Sequence, residues 1–202
     1  MLRLRQSITR TSITLKETPM SSNTGTHAST LDDGIETITT YVSVEHITLS
    51  TPRPYSEVKR ELESRLGRLD DGIRAMLRNN DLEGVRAALK KAAGKDDLAI
   101  HYIGLHGDWL ALAGERKNTT AYLIGNVLYA VQMTSVNVAA GNYAPLRVVL
   151  YENANGGSTF EYDKPSTLFG QFGEPAIDKV AATLDQRLSA LLMSLCRGPQ
   201  AV

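Results

Sequence analysis

The stretch YAPLRVVLYENANGGSTFEYDKPS, residues 143–166, admits one register of antiparallel pairing, and that register constrains what can surround it. Partners across a buried face must both be apolar, because a slip of one residue turns every side chain to the opposite side of the sheet. Pairing Val148 with Tyr162 and Leu150 with Phe160 meets the condition, whereas a slip sets Leu150 against Glu161 and Val148 against Asp163. The accepted register leaves Ala154, Asn155 and Gly156 as the loop. A three-residue loop needs a positive φ in its last position, which Gly156 supplies. The same register sets Arg147 opposite Asp163, with Tyr151 on their face. The hairpin therefore has an apolar side that demands a cover and a polar side that is either an interface or a pocket wall.

The rest of the chain offers that cover. Residues 35–50, IETITTYVSVEHITLS, alternate β-branched and aromatic with polar residues, the pattern of a strand, with Val42, Val44 and His46 on one face and Ile47 and Leu49 on the other. PYSEVKRELESRLGRL reads as a helix begun at Pro54, with Tyr55, Val58, Leu62 and Leu69 as its apolar stripe. DLEGVRAALKKAAG reads as a second, capped by Asp81 and stopped by Gly94. LAIHYIGLH, DWLALAG and TAYLIG read as three strands, the first two meeting at His106-Gly107-Asp108, and Asn126 then caps the helix VLYAVQMTSVN. From Pro175 to Gly198, Ile177, Val180, Leu184, Leu188, Leu191 and Leu195 make one continuous helical stripe. The order strand, helices, strands, helix, hairpin, helix predicts a single α+β domain over 35–198, a mainly antiparallel sheet with helices packed on it.

Residues 1–34 are expected to be an extension outside that domain. SSNTGTHAST is polar and of low complexity, which predicts disorder. Arg3, Arg5, Arg10 and Lys16 with no acid before Glu17 suit either a mitochondrial transit peptide or an untargeted extension preceding a start at Met20, so the expected location is cytoplasmic with a mitochondrial alternative.

Twenty-two basic residues balance twenty-two acidic ones, so no global field draws the chain to nucleic acid. No run approaches the ~18 apolar residues that span a bilayer. The single Cys196 has no companion for a disulfide or a CxxC pair. No GxGxxG, P-loop, GxSxG or HExxH occurs, and His27, His46, His101 and His106 lack helical ligand spacing, so neither a cofactor nor a metal is expected. Two groups of residues remain for chemistry. His106 lies beside Asp108 and Trp109, a histidine near a carboxylate that can act as a general base next to an apolar wall. Arg147, Tyr151 and Asp163, preceded by Tyr143, could clamp a carboxylate, phosphate or enolate oxygen; equally, Arg147 and Asp163 form a cross-strand ion pair with Tyr151 packed beside it.

YLIGNVLYAVQM, AGNYAPLRVVLYE and EYDKPSTLFGQF together resemble the DUF302 family, also called TT1751-like, over about Tyr41 to Leu195. The weight lies on YAPLRVVLYE followed by YDKPS, and LHGDWLALAG is similar to a segment of one branch. Many members place proline after the Gly-Asn pair, where this chain has Val127. The resemblance implies a compact α+β domain that pairs into homodimers, and it implies no common activity. Three functions stay open. The first is a cofactor-independent enzyme moving a proton on a small, largely apolar molecule, with His106, Arg147 and Tyr151 catalytic and Asp108, Trp109, Tyr143 and Asp163 binding substrate. The second is a non-catalytic dimer that holds a small molecule, haem or a metal through His46, His101 or His106. The third is a structural dimer.

Overall fold

The computed structural model describes residues 14–16 and 27–199. The chain divides into two compact units, Met1–Ser43 and Val44–Val202. In the first, β1 (Thr14–Lys16), β2 (His27–Asp32) and β3 (Ile35–Thr39) form an antiparallel meander in that order. Asp33 and Gly34 join β2 to β3 with φ of 46° and 81°. Two positive φ values in a two-residue loop make the turn that matches strand twist, and Asp-Gly is its usual sequence. The segment expected to be disordered thus contributes His27–Thr30 to a strand. Apart from Thr14–Lys16, the basic segment weighed as a targeting peptide lies outside the described residues.

The strand expected over 35–50 is two strands, because β4 (His46–Thr51) belongs to the second unit. There follow α1 (Tyr55–Arg65), α2 (Asp71–Arg78), α3 (Leu82–Ala93), β5 (Ala99–Gly104), α4 (His106–Trp109), β6 (Thr119–Gly125), α5 (Val127–Thr134), β7 (Leu146–Glu152), β8 (Ser158–Asp163), α6 (Pro165–Phe169) and α7 (Pro175–Arg197). The five strands form one antiparallel sheet in the order β4-β8-β7-β6-β5, with helices packed on it: an α+β fold. Val148 pairs with Tyr162 and Leu150 with Phe160, and Gly156 carries a φ of +76°. The caps are the expected ones: Asp81 accepts from the Gly84 N–H at 2.9 Å, and Asn126 accepts from Leu128 at 2.9 Å although Val127 replaces proline.

DWLALAG is a short helix, α4, running into a 3-10 turn at Leu110–Ala113, and not a strand. Its apolar alternation was real but found no sheet to join, and Trp109 is 70% exposed. The helix α2 was not anticipated; Asp70 caps it by accepting from the Ile73 N–H, and none of its residues is buried.

One face of the sheet is covered. Tyr122, Ile124, Val148, Leu150, Phe160 and Tyr162 pack into a single core with Val58 and Leu62 of α1, Phe169 of α6 and eight residues of α7. Burying a large aliphatic side chain stabilises by about 1.5–3 kcal/mol, so the 23-residue α7 supplies a major share of the cover. Its last carbonyls, which have no partner within the helix, are met from elsewhere in the fold: the Thr51 hydroxyl donates to the Cys196 carbonyl at 2.8 Å, and the Arg53 guanidinium donates to the Leu195 carbonyl. The other face bears Arg147, Val149 and Tyr151 beside Glu161 and Asp163, with Arg147 exposed and Val149 and Tyr151 half-buried. Among the described residues no helix is long and apolar enough to cross a membrane.

Candidate functional site

β5 pairs regularly with β6 at Ala99↔Gly125 and Ile100↔Ile124, then resumes at Tyr102↔Leu123. His101 is the extra residue. A bulge of this kind turns one side chain out of the alternation and recurs beside functional sites. Here His101 lines a cavity of about 180 Å3 together with Gly125, Asn126, Ala130, Met133, Ala144, Pro145, Leu146 and Leu184. Its Nε2 is buried and has no hydrogen-bond partner, the one such side-chain atom among the described residues. Burial holds its pKa below the ordinary 6.5; a contact of the ring with the Gly125 backbone, short of hydrogen-bond geometry, opposes the shift and the Arg74 charge adds to it. The ring is therefore neutral at neutral pH.

Gly125 packs close by: a Cβ there would lie 3.3 Å from the Pro145 Cβ and at ordinary contact distance, 3.5 Å, from Nε2. One lining residue, Asn126, is held by a second group of residues. Asn126, besides capping α5, donates from Nδ2 to the Asp97 carbonyl at 3.0 Å and to its carboxylate at 3.2 Å. The Tyr129 hydroxyl donates to the same carboxylate, and Arg187 stands 3.8 Å from it. Asp97 itself sits at a φ of +60°, a left-handed conformation that aspartate tolerates better than most side chains.

The residues singled out from the sequence fall elsewhere. His106 and Asp108 make no hydrogen bond or ion pair with one another among the described residues, and both are exposed. The His106 ring lies over Gly104 beside Tyr102, on the open side of the sheet edge. Asp108 lines a larger open groove, about 420 Å3, with Arg116 and Lys117. That groove is walled by exposed polar residues whose groups water already satisfies, so it offers a ligand less than the smaller cavity does. Tyr143 packs edge-on against Phe169 and Phe172, centroids 6.1 and 6.2 Å away, and works as a wedge under α6.

Arg147, Tyr151 and Asp163 do share the open face, but the ion pair expected between Arg147 and Asp163 is not formed. Asp163 accepts from His46 Nδ1 at 2.8 Å, because β4 lies on the far side of β8 and sets His46 directly opposite it. His46 Nε2 also stands 3.4 Å from Glu161, and Tyr151 donates to Glu161 at 2.8 Å. Arg147 is exposed and makes no ion pair among the described residues. The hydrogen bond to Asp163 raises the His46 pKa above 6.5, with help from Glu161 and against an opposing desolvation. A raised folded-state value means stabilisation that is complete below the unfolded value of about 6.5 and lost as pH rises through the folded one. His46→Asn is accordingly expected to lower stability by about 0.5 kcal/mol near pH 5.5, a small figure because the pair is solvated. The same substitution is expected to be neutral near pH 9, as read from urea midpoints.

His46, His101 and His106 do not converge, and among the described residues no group of three or more His, Cys, Asp or Glu side chains could hold a metal ion.

Residues 75–195 match the family described as Domain of unknown function DUF302, a narrower span than the Tyr41–Leu195 of the resemblance. The fold is similar to the crystal structure of an uncharacterized conserved protein DUF302 from Bacillus stearothermophilus, with a TM-score of 0.55, 19% identity, and coverage of 75% of this chain and 98% of that one. At that identity the likeness is one of fold. No curated protein matches the chain.

Proposed function

The chain belongs to the DUF302 family, and on that footing we propose that it binds one small, largely apolar organic molecule in the cavity under His101. A single atom carries the reading: a buried Nε2 without a partner, facing an apolar space of about 180 Å3. Leaving a buried polar atom unpaired costs about 1–3 kcal/mol. A molecule that fills the space and pairs the atom recovers that cost, which gives the site both shape and chemical selectivity. Pockets of this kind, apolar with few polar groups, are the usual form of small-molecule sites.

Cofactor-independent proton transfer is the second reading, favoured by the same ring. Burial keeps it neutral at neutral pH, the state in which imidazole accepts a proton, and the role first given to His106 passes to His101. Arg147 and Tyr151 then belong to the open sheet face, which we assign to a second copy of the chain. An isologous interface must complement itself, and this face carries the Arg147 cation beside the Glu161 and Asp163 carboxylates on the adjoining strand.

Native mass spectrometry of the full chain, exposed to a panel of small aromatic and alicyclic compounds, tests both statements. The expected result is a dimer carrying adducts that vanish in Ala130→Leu, whose larger side chain enters the cavity, while the dimer persists. Adducts unchanged in that variant, or none across the panel, would sink the cavity reading.

A further inference from the structure

We infer that the molecule held under His101 is a hydroxyl compound of single-ring size, a phenol or a compact cyclic alcohol, with its hydroxyl on Nε2; this rests on the cavity reading above. Size sets the first limit. A cavity of about 150 Å3 in a protein core holds benzene, so about 180 Å3 admits one ring and a small substituent.

Chemistry sets the second. Met133, Ala144, Pro145, Leu146 and Leu184 offer the ligand only apolar surface. Asn126 is the other polar side chain on the wall, and both ends of its amide are already engaged: Oδ1 accepts from the Leu128 N–H, and Nδ2 donates twice to Asp97. One polar atom is left to be met, so the ligand needs one polar group, directed at the end where His101 and Gly125 lie.

The nature of that group follows from charge and from proton count. A carboxylate or phosphate would lose its hydration against a neutral ring and apolar walls, which is prohibitive without a cation in the cavity. Arg74, whose charge is felt at the ring, is engaged with Asp71 at 3.0 Å. An ammonium ligand would meet that same positive charge. Among neutral groups, a ketone can serve Nε2 only when it bears the proton, and an amine basic enough to accept well is protonated at neutral pH and falls with the ammonium ligands. A hydroxyl both donates and accepts, so it pairs Nε2 in either tautomer.

Titration of the full chain with 4-methylphenol and, separately, with toluene tests the inference, followed through the 15N resonances of the histidine rings. The two probes share a ring and a methyl group and differ in the hydroxyl. The expected result is about tenfold tighter binding of 4-methylphenol, equivalent to about 1.4 kcal/mol, with a shift of the His101 Nε2 resonance. In His101→Phe the preference is expected to disappear. Equal affinity of the two probes for the wild-type chain would overturn the hydroxyl inference and leave the cavity reading standing. Failure of both to bind would remove the cavity reading itself. Should His101→Phe fail to fold, the comparison on the wild-type chain alone decides the matter.

Discussion

Replacing Phe160 by alanine is expected to lower the free energy of unfolding by about 3–5 kcal/mol. Phe160 is fully buried on β8, with Leu49 opposite it on β4 and Leu150 opposite it on β7. Three strands meet around that one ring, and the helix layer closes over it, so the cavity left by truncation has few ways to collapse. Since domains of this kind are stable by only about 5–15 kcal/mol in total, the variant should populate unfolded chains measurably at moderate denaturant. A urea titration that shifts the midpoint with an unchanged slope would register the loss as one of stability. Phe160→Leu, which keeps most of the volume, should cost about 1.5 kcal/mol or less. If alanine proved no worse than leucine, the inner face of the hairpin would not be the core.

The second large effect is expected at Gly157. A Cβ there would sit 2.2 Å from the Thr51 carbonyl oxygen and 2.9 Å from the Pro52 Cα, both backbone atoms that cannot swing aside. Gly157→Ala should therefore cost about 3 kcal/mol, the upper end of overpacking penalties, by prising the end of β4 from β8. The damage should travel, because the Thr51 hydroxyl at that end holds the Cys196 carbonyl at the close of α7. Hydrogen exchange would report it as faster exchange along β4 while β6 and β7 stay protected. Gly156→Ala is the instructive companion. Gly156 has a φ of +76° and nothing within 4 Å of its missing Cβ, so alanine there pays only for an unfavourable backbone, about 1 kcal/mol. A larger loss at Gly156 than at Gly157 would refute the argument.

That pair of glycines shows what local pattern can reveal. Gly156 was legible because its role lies within the loop; Gly157 was not, because its constraint comes from Thr51 and Pro52, remote in sequence. The same division runs through the molecule. The hairpin register, the Asp81 and Asn126 caps and the α7 stripe depend on neighbours within a few positions, and all are present as expected. The His46–Asp163 hydrogen bond joins residues 117 apart and depends on β4 lying beside β8, which no local pattern encodes. His101 is the case where a signal existed. Ile100 and Ile103 both belong to the core side, three apart where a regular strand demands an even spacing. That odd interval is the signature of a bulge, and it leaves His101, one of the two residues between them, beside the cavity. His106 stood out for its carboxylate neighbour, yet within the short helix the two exposed side chains make no hydrogen bond with one another.

The first and last strands of the sheet in chain order, β4 and β8, lie side by side, and α7 is made after both. On a ribosome this has a direct meaning. Until Pro175–Arg197 has emerged, Leu150, Phe160 and Tyr162 have only α1 and α6 to cover them, and β4 waits through more than half of the chain for its partner. Pairings of such long separation are slow to form, and uncovered apolar strands in the interval are what chaperones bind. The core of the second unit is thus completed only once α7 has been released.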